Sequence, residues 1–272
     1  MRIAFIGGGH MTTSLVGGLR ARGAAPTDLT VADPVATQRE RLQFDFGVHA
    51  SGDNAAAVRD ADLVVLAVKP QDMAAAAASI AAELARRRRV VASGAAGIRI
   101  GDLARWLGRG TPIVRTMPNR PALIGAGVTA ACAGAGVGPA DRAAVERVLS
   151  AAGSVVWLAD EAHMDAVTAV SGSGPAYFFL LIEALEDAGK ALGLPPATAR
   201  HLAVHTALGA GRMAAEGSEP PATLREQVTS RGGTTAAALA VLERADVRGI
   251  FAEAIAAAAR RSAELADQYG EK

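Results

Sequence analysis

Arg2-Ile3-Ala4-Phe5-Ile6-Gly7-Gly8-Gly9-His10-Met11-Thr12 opens the chain with a short apolar strand that runs straight into three glycines. Leu15, Val16 and Leu19 then recur at helical spacing. Strand, glycine turn and helix in that order form the setting in which a glycine-rich segment binds a dinucleotide. Gly7 makes the tight turn, and Gly9 lets a pyrophosphate approach the backbone at the helix N-terminus, where unpaired N–H groups and the helix dipole favour an anion. The third position of the fingerprint is Thr12, where close packing of helix on strand usually calls for Gly or Ala.

Working outward, short apolar strands alternate with helical patterns up to about residue 157: 29–32, 63–68, 90–93, 112–115, 128–131 and 154–157. Strands without polar interruption in such an alternation predict a parallel sheet covered by helices on both faces. From about residue 161 the strand signal stops, and Phe178, Leu181, Ile182, Leu185 and Leu192 recur at helical spacing, as do Val247, Ile250, Phe251, Ala254 and Ile255. The expected fold class is therefore α/β: a Rossmann-like dinucleotide-binding domain over residues 1–160, followed by an all-α domain over 161–272. The apolar stripes of the second half are too broad for so small a domain to cover, which predicts a dimerisation module and a homodimer or a higher multiple of dimers rather than a monomeric bundle.

Composition agrees. A chain of 272 residues, half of them hydrophobic, can bury a large core, and a net charge of +1 gives no reason to expect a nucleic-acid partner. The single Cys132 has no partner for an intrachain disulfide and reads as a core residue in a reducing, cytoplasmic setting. A first strand at residue 2 leaves no space for a leader segment, and the uncharged stretch 121–140 is too rich in turn-formers for a membrane span, so no membrane association is expected. Arg86-Arg87-Arg88-Arg89 reads as a solvated helix end.

Further candidates sit where strands end. Asp33 follows the second strand 24 positions after Gly9, where an acidic residue meets the adenosine ribose hydroxyls; Arg39 and Arg41 lie close behind and can hold a 2′-phosphate, so NADH and NADPH both stay open. Asn54, Val68-Lys69-Pro70, Ser93 with Ala95, and Met117-Pro118-Asn119 each end or follow a strand and outline one edge of the sheet. In the helical half, Gln227-Val228-Thr229-Ser230-Arg231-Gly232-Gly233-Thr234-Thr235 gathers four hydroxyls and two glycines before an Ala-rich helix. That segment is either a cradle for a small anion or a plain helix cap.

The glycine turn, Val68-Lys69-Pro70-Gln71, Met117-Pro118-Asn119-Arg120-Pro121, Ser171-Gly172-Ser173-Gly174-Pro175-Ala176-Tyr177 and Thr229-Ser230-Arg231-Gly232-Gly233-Thr234-Thr235 occur in the order found in pyrroline-5-carboxylate reductases, which the whole chain resembles. The last two motifs discriminate most. The resemblance implies reduction of 1-pyrroline-5-carboxylate to L-proline with NADPH or NADH, the last step of proline biosynthesis. It implies cofactor binding by Ile6, Gly7, Gly8, Gly9, His10, Met11, Asn54, Val68, Lys69, Pro70 and Gln71, with substrate on the 229–235 loop. Three residues depart from the family: His10 where Asn is usual, Arg120 where Thr is usual, and Arg231 where Pro is usual. Arg231 either adds a cation beside the substrate carboxylate or points into solvent.

Cyclic-imine reduction needs a nicotinamide held against the imine carbon, a grip on the carboxylate and a donor near the nitrogen. A protonated imine already accepts hydride well, so an oriented hydroxyl suffices, and Thr235 is the expected catalytic residue. Ser230, Gly232, Gly233 and Thr234, with Thr235 itself, are the expected carboxylate and substrate contacts. Other chemistry is less well supplied. His201 and His205 share a helix face but lack a third ligand, so no metal is expected. Ser173 lacks a nucleophile-elbow context and, with Pro175, reads as a close-packed helix start. Alternatives are a reductase of another cyclic imine, a β-hydroxyacid dehydrogenase, for which Lys190 is the one candidate lysine before Lys272, and a non-catalytic nucleotide sensor.

Overall fold

The computed structural model describes residues 1–270. Two compact units are present: Met1–Gly172 together with the chain's end from Ala258, and Ser173–Ala257.

The first unit is a twisted sheet with helices on both faces. In chain order it contains β1 (Ile3–Ile6), α1 (His10–Ala21), β2 (Leu29–Ala32), α2 (Ala36–Phe46), β3 (His49–Ser51), α3 (Asn54–Arg59), β4 (Leu63–Leu66) and α4 (Met73–Arg86). It continues with β5 (Val90–Ser93), α5 (Ile100–Leu107), β6 (Ile113–Met117), β7 (Gly127–Ala133), α6 (Pro139–Leu149), β8 (Gly153–Leu158) and the short α7 (Met164–Val167). The strand order is β3-β2-β1-β4-β5-β6-β7-β8. Alternate residues of each central strand feed opposite cores. Ile3, Phe5, Leu63 and Val65 join Leu15, Val16, Leu42 and Val148 on one face, while Ala4, Ile6, Val64 and Leu66 join Met73, Ile80, Leu84 and Leu103 on the other. Burial on both faces is why these strands read as unbroken apolar runs.

Two features differ from the sequence expectation. β6 and β7 pair antiparallel, with Val114 opposite Ala133 and Met117 opposite Ala130, so the sheet is mixed rather than wholly parallel. β3 is an additional three-residue edge strand, paired in parallel with β2.

The arginine run is a solvated helix end over Arg86, Arg87 and Arg88, which are exposed at the close of α4, but not at Arg89. Arg86 pairs with Glu83, Arg87 with Asp62, and Arg88 grips Asp141. Arg89 is buried and donates to the main-chain oxygens of Ala61, Glu83, Arg87 and Arg59, joining the ends of three elements. The Arg88 guanidinium, aided by the Gly138 amide, holds the Asp141 carboxyl below its ordinary value although burial opposes this. Cys132 is a core residue beside Ala130 and Met164, and burial pushes its thiol up.

Residues 161–172 lie beyond the last strand yet belong to the first unit. Met164 is buried on β7, and Glu161 accepts from the buried Arg115 of β6 at 2.8 Å and from the Ile100 amide at 2.9 Å. The sequence division at 160/161, placed where strands stop, thus falls ahead of the compactness boundary at Gly172 and Ser173.

The second unit is wholly helical: α8 (Gly174–Ala191), α9 (Pro196–Glu216), α10 (Pro221–Gln227), α11 (Thr234–Arg244) and the first part of α12 (Val247–Gly270). Within one chain it buries little: Phe178, Phe179, Leu180 and Leu181 on α8 are 49% to 66% exposed. Within the stretch Glu161–Ala191 an 18-residue window reaches a mean hydropathy of 1.2, which by length and composition alone would suit a membrane span.

Candidate dinucleotide site and anion loop

The three glycines that follow β1 do different jobs. Gly7 lies at φ +98°, its amide donates to Ala32 O, and a Cβ there would stand 2.7 Å from the Ala67 carbonyl oxygen. Any side chain at Gly7 would collide with backbone. The Gly8 amide donates to Asp33 Oδ2 at 2.6 Å, and a Cβ would press on Leu42 at 3.0 Å. Gly9 is different: it is the N-cap of α1 in extended conformation, no side chain caps the helix, and a Cβ would meet nothing within 4 Å. The fold does not require glycine at that position, whereas a ligand lying on the unpaired amides of α1 would. Thr12, off pattern in sequence, is fully buried, and its hydroxyl donates to Gly7 O.

A cavity of about 430 Å³ opens over this turn, where the chain leaves β1 with β2 on one side and β4 on the other. That is the crevice in which open α/β sheets bind ligands. Of the expected residues, Ile6, Gly7, Gly9, Asp33, Asn54, Val68 and Lys69 line it. Gly8 is buried beneath the turn, His10 is exposed at the first position of α1, and Met11 packs on the core. Pro70 and Gln71 form a short 3-10 turn next to Lys69. Ser93 and Ala95 are buried in the core rather than on the cavity wall, and the Ser93 carbonyl accepts from Thr116 Oγ1.

Pro34, Val35, Ala67, Asp72, Ala75 and Ala76 also line the cavity and were not foreseen. Alanines in a helix carry no chemical signal; their small size in the run 74–78 was the only hint. Asp33 is pinned, since Oδ1 also accepts from the Val35 amide at 2.8 Å. Arg39 donates to the carbonyls of Asp33 and Pro34, and Arg41 turns toward Thr13 on α1. Asn54, at the start of α3, donates to Ser79 Oγ at 2.9 Å. A ligand-sized crevice, open helix amides and the free space at Gly9 fit a dinucleotide.

In the second unit, the loop between α10 and α11 puts Gly232 in the left-handed region at φ +72°. Gly233 is the N-cap of α11, with no side-chain cap, and a Cβ there would lie 2.3 Å from Ser230 Oγ. No hydroxyl of the loop caps the helix, whose N-cap is Gly233 itself. Thr229 is spent on the Arg225 carbonyl. Thr234 and Thr235 occupy the first two positions of α11, Thr235 half-buried and Thr234 exposed, with Arg231 and Ser230 exposed before them.

Two other motifs make a structural joint. Asn119, just after β6, accepts from the Val128 amide at 3.0 Å and donates to the carbonyl and hydroxyl of Ser171 at 3.4 Å. Gly172 ends the π-helical turn Thr168–Gly172, where a Cβ would lie 2.4 Å from Met117 Cε. Ser173 is the N-cap of α8, with Pro175 in the first turn. The rings of His201 and His205 lie 4.2 Å apart, and among the described residues no group of three or more His, Cys, Asp or Glu could hold a metal. Lys190 is paired with Glu186 at 2.6 Å and with Asp187 at 3.1 Å, contacts that push its ammonium pKa up.

Comparison with known proteins matches both halves. Residues 161–265 match the family described as pyrroline-5-carboxylate reductase dimerisation, and residues 2–97 match NADP oxidoreductase coenzyme F420-dependent. The chain is 48% identical over 270 residues to the pyrroline-5-carboxylate reductase of Pseudomonas aeruginosa, covering 99% of this chain and 98% of the relative. It is similar to the solved pyrroline-5-carboxylate reductase of Coxiella burnetii, with TM-score 0.94, 39% identity and coverage of 97% and 98%. It is also similar to the pyrroline carboxylate reductase of Plasmodium falciparum solved with NADP bound, with TM-score 0.85, 28% identity and coverage of 98% of each chain. The chain belongs to the pyrroline-5-carboxylate reductase family.

Proposed function

We propose that this protein reduces 1-pyrroline-5-carboxylate to L-proline with NADH or NADPH, the last step of proline biosynthesis. The observation that carries the reading is Gly9, the one glycine of the turn that leaves open space, at the helix end that faces a cavity on the sheet's crevice. When bound, the reduced nicotinamide supplies the hydride that adds to the imine carbon, while the nitrogen of the protonated imine keeps its proton and becomes the ring amine.

The chain's own residues bind and orient. Gly9 and the first amides of α1 take the pyrophosphate, Asp33 the adenosine ribose, and Asn54 with Val68 to Gln71 the remaining cofactor edge. Ser230, Gly232, Gly233 and Thr234 hold the substrate carboxylate through hydroxyls and amides, and the Thr235 hydroxyl positions the imine nitrogen. The β-hydroxyacid alternative would need a lysine base, and Lys190, held charged by two carboxylates, is ill suited to that task.

A second copy of the chain covers the exposed apolar faces of α8 to α12, giving a dimer or a multiple of dimers in the cytoplasm. This also accounts for the hydropathy of the Glu161–Ala191 run without a membrane. Spectrophotometric oxidation of NADH and of NADPH with pyrroline-5-carboxylate tests the function. Preferential turnover of another imine would revise the substrate, and cofactor binding without turnover of any imine would make the protein a sensor.

A further inference from the structure

Taking the cavity as the cofactor site proposed above, the loop after β2 bears on a question that residue types leave open, namely which of the two nicotinamide cofactors is used. With the pyrophosphate at Gly9, the next part of the ligand, the adenosine ribose, meets the end of β2. The two cofactors differ there by one phosphate. Asp33 lies on the cavity wall and is held in place from three sides: Oδ2 by the Gly8 amide at 2.6 Å, Oδ1 by the Val35 amide at 2.8 Å, and its main-chain carbonyl by Arg39 at 2.8 Å. Two accepted hydrogen bonds leave a carboxylate with lone pairs for ribose hydroxyls. To swing away from a phosphate, the Asp33 carboxylate would have to give up its bonds to the Gly8 and Val35 amides.

The two arginines that follow Asp33 in sequence are engaged with protein acceptors outside the cavity wall. Arg39 donates through Nη1 to the carbonyls of Asp33 and Pro34, bracing the loop, and is not among the cavity-lining residues. Arg41 donates to Thr13 Oγ1 at 2.9 Å and is likewise absent from the lining. Lys69 does line the cavity, but it follows β4, on the opposite side of β1 from β2. The ribose end of the crevice thus presents a fixed carboxylate on its wall, while the nearest guanidinium, that of Arg39, is turned onto the main-chain carbonyls of Asp33 and Pro34 and does not line the cavity.

We infer that Asp33 makes this crevice selective for the unphosphorylated adenosine ribose, so that NADH rather than NADPH is the preferred reductant. The test is calorimetric titration of the full-length protein with ADP-ribose and with 2′-phospho-ADP-ribose, which lack the nicotinamide and so report binding independently of turnover. ADP-ribose should bind about tenfold more tightly or better, from repulsion between the phosphate and the fixed carboxylate. Asp33→Asn, which keeps an acceptor for the turn and removes the charge, should narrow that gap to about threefold or less.

Equal or tighter binding of the phosphorylated fragment by the unaltered protein overturns the inference while leaving the cofactor site in place. So does a selective loss of phosphorylated-fragment binding in Arg39→Ala, which would show that Arg39 leaves the loop to meet the phosphate. Failure of both fragments to bind the unaltered protein overturns the cofactor-site reading itself, and the inference with it. Should Asp33→Asn fail to fold, the comparison of the two fragments on the unaltered protein decides alone.

Discussion

The hydroxyl of Thr12, in the first turn of α1, donates to the main-chain oxygen of Gly7, closing the glycine turn on itself five residues upstream. A residue that breaks the fingerprint pattern thereby satisfies a buried carbonyl that glycine or alanine would leave without a partner. Thr12→Val, nearly equal in shape, should cost about 1–2 kcal/mol of stability by stranding that oxygen, and Thr12→Ser should restore most of it. Urea unfolding midpoints of the three proteins check this; a valine variant as stable as the original would show the bond to be idle.

Gly9→Val should raise the dissociation constant of either cofactor at least about tenfold while leaving the melting temperature nearly unchanged, since a Cβ there meets no protein atom within 4 Å. Gly7→Ala should behave in the opposite sense and destabilise the fold, because its Cβ would lie 2.7 Å from Ala67 O at a φ of +98°. Calorimetry and thermal melts on the pair separate the glycine of the ligand from the glycine of the fold. Unchanged cofactor affinity in Gly9→Val would place the pyrophosphate elsewhere.

What the sequence could and could not show follows from the range of the forces involved. The glycine turn and the central strands were legible because each is a local pattern, and burial on both faces leaves an unbroken apolar run. β3 escaped notice because His49-Ala50-Ser51 is short, partly polar and at the sheet edge. The reversed direction of β7 left one sign, the connection 118–126, which is too short for the crossover that parallel neighbours need. The roles of Arg87, Arg88 and Arg89 were illegible because their partners Asp62, Asp141 and Ala61 lie 25 to 53 positions away. At the site, charged and glycine positions gave themselves away, whereas Ala75 and Ala76 act only by being small.

Asp141 gives a pH signature. Its carboxyl is held below the ordinary value of 3.8 chiefly by hydrogen bonds from Arg88, so its contribution is fully present above that value and is lost as pH falls through the lowered one. Asp141→Asn should cost about 1 kcal/mol at neutral pH, the side chain being mostly buried and its Gly138 bond partly kept. The difference between the two proteins in urea midpoint should shrink as pH is lowered toward and below 3.8. A gap independent of pH would mean that packing, not charge, is what Asp141 supplies.

The apolar faces of the second unit predict an obligate partner. Phe251 on α12 is 46% exposed within one chain, and Phe178 on α8 is 65% exposed. Phe251→Asp should shift the mass seen by light scattering toward the monomer at micromolar concentration, or lower the melting temperature in a concentration-dependent way. An active monomer of the unaltered protein would remove the second copy from the proposal.

Thr235 sits at the second position of α11, half-buried, on a helix whose N-cap is Gly233 and whose first turn no side chain caps. If its hydroxyl orients the imine nitrogen in the transition state, the bond it makes belongs to the substrate rather than the nucleotide, so its loss should fall on turnover. One neutral hydrogen bond contributes on the order of 1 kcal/mol, and more to a charged nitrogen, so Thr235→Ala should lower kcat about tenfold to a hundredfold. Cofactor affinity should change little, and Thr235→Ser should recover much of the rate because it restores the hydroxyl without the methyl. Steady-state kinetics at saturating cofactor decide between the possible roles. Unchanged turnover in the alanine variant would reduce Thr235 to a helix-start residue, and a loss confined to cofactor binding would move the α10–α11 loop from the substrate to the nucleotide.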